Sequence, residues 1–396
     1  MKEGWEYKTL GEVCKIYNGN SINADYKKKH FLGATGGLPF IATKDVSPLG
    51  TIDYNNGVRI PNYEEYKVAP ANSVFICAEG GSAGKKFAYV EKDVCFGNKL
   101  FCITPKDKAI KGKFIYHFVQ SDNFRGQFFS LLTGLIGGVS GKKFQTIEIP
   151  VPSLSEQQSI VDYLDSAFAK IDAMKANAEK ALTEARALFQ KALSKAIEPK
   201  EGWEEKKLGD ICSDIRYGTS TPSNENGEYK YLRMNNITND GFLDVSHYKT
   251  ISLPEKELEK CLVKRGDIIF NRTNSRELVG KSCVFTEDEN MVIAGYLIRI
   301  RLKEGFEPQF ITYSMNLQRS LGLFQHLIVG AVHQANISAN NIQKVIINYP
   351  LLSEQQSIVE TLDSLKTKVD RLQANFDKIS QECDALKQAI LRQVFE

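Results

Sequence analysis

The chain has 396 residues, 42% of them hydrophobic and 25% charged, with a formal net charge of +3 at pH 7. This composition predicts a globular chain large enough for several cores and argues against intrinsic disorder. We find no apolar run near the ~18 residues of a membrane span and no basic-then-apolar leader, so we expect a cytoplasmic protein. The eight cysteines and five histidines lack metal-ligand spacing, which predicts neither a zinc site nor a disulfide framework.

Residues 1–152 are predicted to form a mixed α/β globule. Short runs rich in β-branched or aromatic residues, bounded by turn residues, predict strands at 39–42, 74–77, 87–90 and 99–104. Helices are expected at 114–119 and 124–132. A glycine-rich run at 134–141 then precedes a proline-containing segment that leads into the next element.

Residues 78–86 resemble a phosphate-binding loop but fail its pattern. Glu79 stands where the first glycine should be, and Lys86 stands where Ser or Thr should hold magnesium. A plain hairpin or a basic turn that touches a phosphate is the better interpretation. The polar candidates for DNA contact in this half, mostly lysines suited to phosphates, are Lys44, Lys85, Lys86, Asn98, Lys99, Lys142 and Lys143.

Residues 153–199 are predicted to be a long coiled-coil helix. Apolar residues recur there at alternating steps of four and three, a period of about 3.5 residues. The predicted seam includes Ile160, Leu164, Ile171, Met174, Ala181 and Leu188.

Residues 200–350 are predicted to repeat the order of strands and helices of the first globule with a different amino-acid sequence. Arginine is concentrated in this half, with 3 in residues 1–198 and 10 in residues 199–396. Arg and Asn side chains can make bidentate contacts with guanine and adenine edges. The candidates for base reading are Arg233, Asn235, Asn236, Asn271, Arg272, Thr273, Asn274, Arg276, His333 and Gln334. Solvated loops, or drift after duplication, are the alternatives.

Residues 351–396 are predicted to be a second coiled-coil helix. Its seam has larger side chains: Leu362, Val369, Leu372, Phe376, Ile379 and Leu386. Because the first seam is alanine-rich, we expect the two helices to pair antiparallel, with Ala178 facing Leu372 and Ala185 facing Leu365. Pairing between two copies of the chain is the alternative.

An internal repeat relates the two halves. The sequence SEQQSIV occurs at residues 155–161 and again at 353–359, and Gly4-Trp5-Glu6 returns as Gly202-Trp203-Glu204. Both pairs have an offset of 198 residues, half of the chain length. The repeat predicts a pseudo-two-fold molecule whose first and last residues lie near each other.

Sequence motifs for catalysis are absent. The chain has no His-Glu-x-x-His, no G-x-G-x-x-G and no Asn/Asp-Pro-Pro-aromatic run. A non-catalytic binding protein is therefore predicted. The alternatives are a bifunctional enzyme with an unrecognised active site and a coiled-coil scaffold that spaces two protein-binding globules.

The repeated motifs resemble the specificity (S) subunits of type I restriction–modification systems over the whole chain. They are Pro152-Ser-Leu-Ser-Glu156-Gln157-Gln158-x-Ile160, Pro350-Leu-Leu-Ser-Glu354-Gln355-Gln356-x-Ile358, Trp5 with Leu10-Gly11-Glu12, and Trp203 with Leu208-Gly209-Asp210.

The resemblance implies two mixed α/β target recognition domains, at 1–152 and 200–350, joined by two antiparallel coiled-coil helices. Each domain would read one half of a bipartite, asymmetric DNA target, and the helices would set the spacing. Two methyltransferase subunits would dock on the helices, with restriction subunits in the same complex. No cofactor is expected on this chain, while S-adenosylmethionine, ATP and Mg²⁺ are expected on the partner subunits. The expected docking residues are Glu156, Gln157, Gln158, Glu354, Gln355 and Gln356.

Overall fold

The computed structural model describes residues 4–133, 137–331 and 334–396. It divides into two compact units, one of residues 4–179 with Asn375–Glu396, and one of Lys180–Ala374. We call these unit 1 and unit 2. The first and the last described residues both belong to unit 1, as the wrap-around repeat predicts.

Unit 1 contains two four-stranded sheets and a two-stranded ribbon. Their strand orders are β2-β9-β6-β7, β4-β3-β8-β5 and β1-β10, and all neighbours are antiparallel except β3 and β8. The strands are β1 (Glu6–Thr9), β2 (Cys14–Asn18), β3 (Leu38–Ile41), β4 (Arg59–Ile60), β5 (Val68–Ala69), β6 (Ser73–Cys77), β7 (Phe87–Val90), β8 (Val94–Phe96), β9 (Leu100–Pro105) and β10 (Glu148–Val151). The helices are α1 (Leu10–Val13), α2 (Ala24–His30), α3 (Gly112–Phe118), α4 (Asp122–Ser130) and α5 (Gly141–Phe144), followed by α6 (Leu154–Ile197), which continues into unit 2.

Unit 2 repeats these strand orders as β12-β20-β16-β18, β14-β13-β19-β15 and β11-β23, and adds a small sheet, β17-β22-β21. The strands are β11 (Glu204–Lys207), β12 (Cys212–Tyr217), β13 (Tyr229–Leu232), β14 (Lys249–Ile251), β15 (Leu262–Val263), β16 (Ile268–Asn271), β17 (Thr273–Asn274), β18 (Ser282–Val284), β19 (Met291–Ile293), β20 (Leu297–Leu302), β21 (Val329–Ala331), β22 (Gln334–Asn336) and β23 (Ile346–Tyr349). The helices are α7 (Leu208–Ile211), α8 (Glu255–Cys261), α9 (Pro308–Ser320) and α10 (Ala339–Ile342), followed by α11 (Leu352–Phe395), which continues into unit 1. The predicted repeat of one mixed α/β frame is confirmed.

An aromatic core holds unit 1 together. Phe114, Phe118, Phe124 and Phe144 are fully buried, and burial of each such side chain contributes about 1.5–3 kcal/mol. The ring of Phe395, from the end of α11, lies 5.4 Å from that of Phe114 and 5.7 Å from that of Phe118. The last turn of the chain is therefore part of this core.

The two long helices are 44 residues each and run antiparallel. In unit 1, Asp172 pairs with Lys387 at 2.6 Å and Lys175 with Asp384 at 3.4 Å, so numbers rise on α6 as they fall on α11. In unit 2, Arg186 donates to Gln373 at 2.6 Å. The helices thus pair within one chain.

The register differs from the predicted one. Ala185 was expected opposite Leu365, whereas its neighbour Arg186 bonds to Gln373. In unit 1, Cys383 lies 3.8 Å from the carbonyl of Ile171. These contacts displace α6 along α11 by about one to two and a half turns of 3.6 residues from the predicted register, because Leu182 and Phe189 are buried in place of the predicted Ala181 and Leu188.

The seam of α6 follows a different phase from the predicted one. Leu164 and Ile171 are buried as predicted and Ile160 is half-buried, but Met174, Ala181 and Leu188 are exposed, Met174 at 58% and Leu188 at 67%. The positions one residue after these three are covered instead, namely Lys175, Leu182 and Phe189, and Phe168 is buried as well. Steps of three and then four place these bulkier side chains inward, and Lys175 fits because its stem is apolar.

The seam of α11 is closer to the prediction. Leu362 is buried, and Val369, Leu372, Phe376 and Ile379 are half-buried. Leu386 is 47% exposed, so its assignment to the seam is wrong, and Lys387 is covered in its place. No helix among the described residues is both long and apolar enough to cross a membrane.

Candidate nucleic-acid interface

Two groups of predicted DNA-contact residues, one at 271–276 and one around Gln334, lie far apart in the sequence but meet in unit 2. β17 pairs with β22, so that Thr273 faces Asn336 and Asn274 faces Ala335. The amide of Ile337 donates to the carbonyl of Arg272 at 2.9 Å. The structure therefore joins the loop after β16 to the segment around Gln334. His333 lies outside the described residues.

A buried lysine fixes a third group of candidate residues, Arg233 and Asn235, beside these loops. Lys281 is 5% exposed, and its ammonium donates to the carbonyl of Ile237 at 2.7 Å. Burial, with the nearby Arg319, lowers the pKa of Lys281. The short turn that carries Arg233 and Asn235 is thereby fixed beside the β16–β18 hairpin.

Unit 1 builds the matching loops with the same bonds. The amide of Val139 donates to the carbonyl of Ala78 at 3.1 Å, and the amide of Ala78 donates to that of Lys99 at 2.9 Å. Lys86 donates to the carbonyl of Thr43 at 3.1 Å, as Lys281 does to Ile237. These bonds join the loops that carry the following predicted residues, all of them exposed: Lys44, Lys85, Asn98, Lys99, Lys142 and Lys143.

Glu79 is a carboxylate within this basic loop. It lies 3.6 Å from Lys99, and half of each side chain or more is exposed. Such an exposed pair contributes ~0–1 kcal/mol to stability. The sequence analysis did not include Glu79 among the candidates for DNA contact, although carboxylates can accept a hydrogen bond from cytosine.

Three of the predicted base readers in unit 2 are buried and cannot reach DNA in this structure. Asn236 is 2% exposed, and it donates to the carbonyls of Asp244 at 2.8 Å and His247 at 2.6 Å. Asn271 is fully buried and Thr273 is 8% exposed. These predictions are wrong, because Asn236 bonds to its own loop, the hydroxyl of Thr273 donates to Asn336 on the paired strand and Asn271 lies within a central strand.

The other candidates keep accessible side chains. Asn235, Arg276 and Gln334 are exposed, and Arg233, Arg272 and Asn274 are half-buried. Nε of Arg276 donates to Gln325 at 2.9 Å. Their role in base reading stays a prediction.

Two aromatic residues beside Arg272 were missed by the sequence analysis. The guanidinium carbon of Arg272 lies 4.8 Å from the ring centroid of Tyr217, and the amide of Arg272 donates to the carbonyl of Tyr296 at 3.0 Å. Both rings are about half exposed, at 43% and 51%. The only local signal for Tyr217 was an aromatic residue before Gly218 at a strand end.

Two of the expected docking residues hold the fold together instead. Gln157 and Gln355 are fully buried. Gln157 donates to the carbonyls of Ala109 and Pro152, both at 2.9 Å, and accepts from the amide of Lys111 at 2.9 Å. Gln355 makes the matching bonds to Pro350 at 2.8 Å and from Glu307 at 2.9 Å. Their assignment as partner contacts is wrong, because they fasten each long helix to its domain.

The neighbouring docking candidates remain on the surface. Glu156, Gln158, Glu354 and Gln356 are exposed. Glu156 accepts from the indole of Trp5 at 2.8 Å, and Glu354 lies 3.9 Å from Lys200.

A cavity of about 730 Å³ in unit 2 lies between β12 and α8. Its one carboxylate, Glu257, is engaged by the hydroxyls of Thr219 and Thr221. Across the described ranges, no group of three or more His, Cys, Asp or Glu side chains could hold a metal ion.

Comparison with known proteins identifies the family. The family described as type I restriction modification DNA specificity domain matches residues 2–184 and again 200–380. The chain therefore belongs to this family, with one copy of the domain in each half. It is a type I restriction–modification specificity subunit with two target recognition domains, and it is non-catalytic.

Relatives of known function align along the whole chain. The EcoKI specificity subunit of Escherichia coli K12 is 26% identical, covering 100% of this chain and 89% of the relative. The StySPI specificity subunit of Salmonella potsdam is 25% identical with the same coverage.

Solved structures share the fold. A chain from a study of complex assembly in the type I R-M system superposes with a TM-score of 0.76 at 21% identity, covering 100% of this chain and 98% of that one. The HsdS subunit of Thermoanaerobacter tengcongensis gives a TM-score of 0.56 at 21% identity, covering 100% and 97%.

Proposed function

We propose that each unit of this chain reads one half of a bipartite, asymmetric DNA target. The supporting observation is that the two units share one arrangement of strands but carry different residues in their loops. Matching loops carry lysines in unit 1 and arginines, asparagines and tyrosines in unit 2. Phosphate contacts orient a protein on the duplex, whereas base contacts specify sequence, so two unlike loop sets suit two unlike half-sites.

The long helices set the distance between the half-sites in this proposal and dock two methyltransferase subunits. The repeat supplies one exposed carboxylate–amide pair at the start of each helix, Glu156 with Gln158 and Glu354 with Gln356. Two copies of one surface suit two copies of one partner. Restriction subunits complete the complex in the cytoplasm. S-adenosylmethionine, ATP and Mg²⁺ are bound by the partner subunits, and this chain binds none of them.

Mapping of methylated adenines tests the proposal. The chain is expressed with its methyltransferase partner in a host without other adenine methylation, and the modified sites are sequenced. We expect one asymmetric motif of two short half-sites separated by an unread gap, and no such motif when this chain is omitted. A motif that persists without this chain, or a complex without any sequence preference, would contradict the proposal.

A variant of the basic loop separates phosphate from base contacts. Replacing Lys85, Lys142 and Lys143 by alanine should weaken DNA binding at all sequences and reduce the slope of log K against log salt by up to about 0.9 for each lost contact. The methylated motif should stay the same. An unchanged salt slope would remove these lysines from the interface.

A further inference from the structure

Arg272 is held more firmly than Arg276, the other arginine of the same loop. Its amide donates to the carbonyl of Tyr296 at 3.0 Å, and its carbonyl accepts from the amide of Ile337 at 2.9 Å. The backbone is thus bonded on both sides, to the start of β20 and to the segment after β22. By comparison, Arg276 is exposed and bonded only through its side chain to Gln325 among the described residues.

The guanidinium of Arg272 is also oriented. It stacks over the ring of Tyr217 at 4.8 Å, and its Nη1 donates to the carbonyl of Gly295 at 3.4 Å. Tyr217 is fixed in turn, since its hydroxyl accepts from the amide of Ala339 at 2.8 Å. Stacking on an aromatic face and a planar fork of donors are properties that lysine lacks.

The arrangement is specific to unit 2, although the backbone bonds around it occur in both units. Ala78 makes the two bonds that Arg272 makes, to Lys99 and from Val139. Asn18 occupies the position of Tyr217 on the matching strand. Its side-chain amide donates to the carbonyl of Asn98 at 2.8 Å, the carbonyl that matches that of Gly295. An arginine and a tyrosine have therefore replaced alanine and asparagine on the same frame.

Free donors remain on this guanidinium. Among the described residues, its one hydrogen bond is that of Nη1 to Gly295. Arginine has five N–H donors in a fixed fork, so the Nη2 end stays available. Holding a side chain in its bound conformation reduces the entropy lost on binding, and a fork of this shape matches the O6 and N7 acceptors of guanine in the major groove.

We propose that Arg272 reads one guanine of the second half-site through its O6 and N7 atoms, with Tyr217 as the positioning residue. This inference rests on the proposed function and adds the base that is read and the residue that orients the reader. Tyr217 need not touch the DNA for its loss to affect that base.

The experiment combines changes in the protein with changes of single atoms in the DNA. Affinity is measured for the full chain in complex with its methyltransferase partner, on DNA of the mapped motif. Each guanine of the second half-site is replaced in turn by 7-deazaguanine, which lacks N7, and by inosine, which keeps O6 and N7 and serves as the control. We expect 7-deazaguanine at one position to weaken binding by about 5- to 150-fold, and inosine there to have little effect.

The protein variants assign that position. R272A should bind natural DNA more weakly by a similar factor and should no longer respond to 7-deazaguanine there. R272K, which keeps the charge and loses the fork, should behave like R272A. R265A is the control, at an exposed arginine of unit 2 outside the predicted contact residues, and it should keep the full response.

Tyr217 is tested by ring and hydroxyl separately. Y217F keeps the stacked ring and should keep most of the response to 7-deazaguanine. Y217L removes the ring and should reduce the response several-fold, while the salt dependence and the motif of the first half-site stay unchanged. Those two unchanged readouts show that the variant complex is folded.

The outcomes separate this inference from the proposed function. A wild-type complex without sequence-selective binding overturns both. Selective binding with a second half-site that contains no guanine, or an R272A complex that still responds to 7-deazaguanine, overturns the assignment of Arg272 alone. A Y217L complex with the full wild-type response overturns the role of Tyr217.

Discussion

Units 1 and 2 fill matching positions of one strand frame with different chemistry. In unit 1 the hydroxyls of Ser73 and Thr104 lie 2.8 Å apart across neighbouring strands. At the matching positions of unit 2, Asp267 accepts two bonds from Arg301, both at 2.7 Å. The frame therefore needs a satisfied polar pair at this place, and either a neutral or an ionic pair satisfies it.

The contacts between each domain and its long helix have changed much less. Gln157 and Gln355 make matching bonds, as described above. Two turns further on, Asp165 bonds to His117 at 2.9 Å, and Asp363 bonds to Tyr313 at 2.6 Å. The helix anchors stay similar while the loops differ, which is the pattern expected if the helices serve one kind of partner and the loops two kinds of DNA sequence.

The ion pair of unit 2 gives the largest expected difference between the units. Asp267 has a side chain only 3% exposed, and it also accepts from the amide of Lys264 at 2.8 Å. D267A should therefore cost about 2–4 kcal/mol, since it removes charge-assisted hydrogen bonds and leaves the amide of Lys264 without its partner, while Arg301, 36% exposed, can still be solvated. S73A in unit 1 should cost only about 1 kcal/mol.

Urea unfolding combined with hydrogen exchange measures both losses and assigns them to a unit. The control is D288A, which removes an exposed ion pair with Arg265 and should not change stability measurably. Equal losses for D267A and S73A would show that the ionic and neutral pairs are equivalent, against this interpretation.

The buried glutamines should give equal, intermediate effects in the two units. Q157A and Q355A each leave buried backbone groups without partners, which should cost about 1–3 kcal/mol. The neighbouring exposed residues supply matched controls, Q158A and Q356A, with expected changes within about 0.5 kcal/mol. If the controls destabilised as much as the buried sites, the anchoring role would be wrong.

Acid should weaken the helix anchor of unit 1 in a defined range of pH. Hydrogen bonds from His117 and Lys113 lower the pKa of Asp165 from 3.8 to about 2. A carboxyl whose pKa is lowered on folding stabilises the protein above its unfolded pKa, and this contribution is lost as the pH falls through the folded pKa. The stabilisation should therefore be complete above about pH 4 and gone near pH 2.

The comparison of wild type with D165N measures this contribution. Because 40% of the Asp165 side chain is exposed, solvent screening limits the difference at pH 7 to about 1 kcal/mol. The difference should shrink between pH 4 and pH 2, as followed by urea unfolding at each pH. D162N, at an exposed carboxylate on the same helix, serves as the control. A difference that stays constant down to pH 2 would contradict the ionic anchor.

The sequence by itself determined the repeat, the two long helices, most central strands of unit 1 and the family. A period of about 3.5 residues and short apolar runs between turn residues are local signals, so they can be read without a structure. The strand predicted at 74–77 is the fully buried β6, and the two helices begin and end within two residues of the predicted limits.

Only the tertiary structure decided which polar residues face the core and which side chains meet. Adjacent residues such as Asn235 and Asn236, or Gln157 and Gln158, have the same side chain. One residue of each pair is buried because of the backbone that surrounds it in the folded domain. On α6, a change of phase by one residue exposes Met174 and covers Lys175. Tyr217 and Arg272 meet because β20 lies between β12 and β16, and that strand order follows from packing over the whole domain, which no local pattern records.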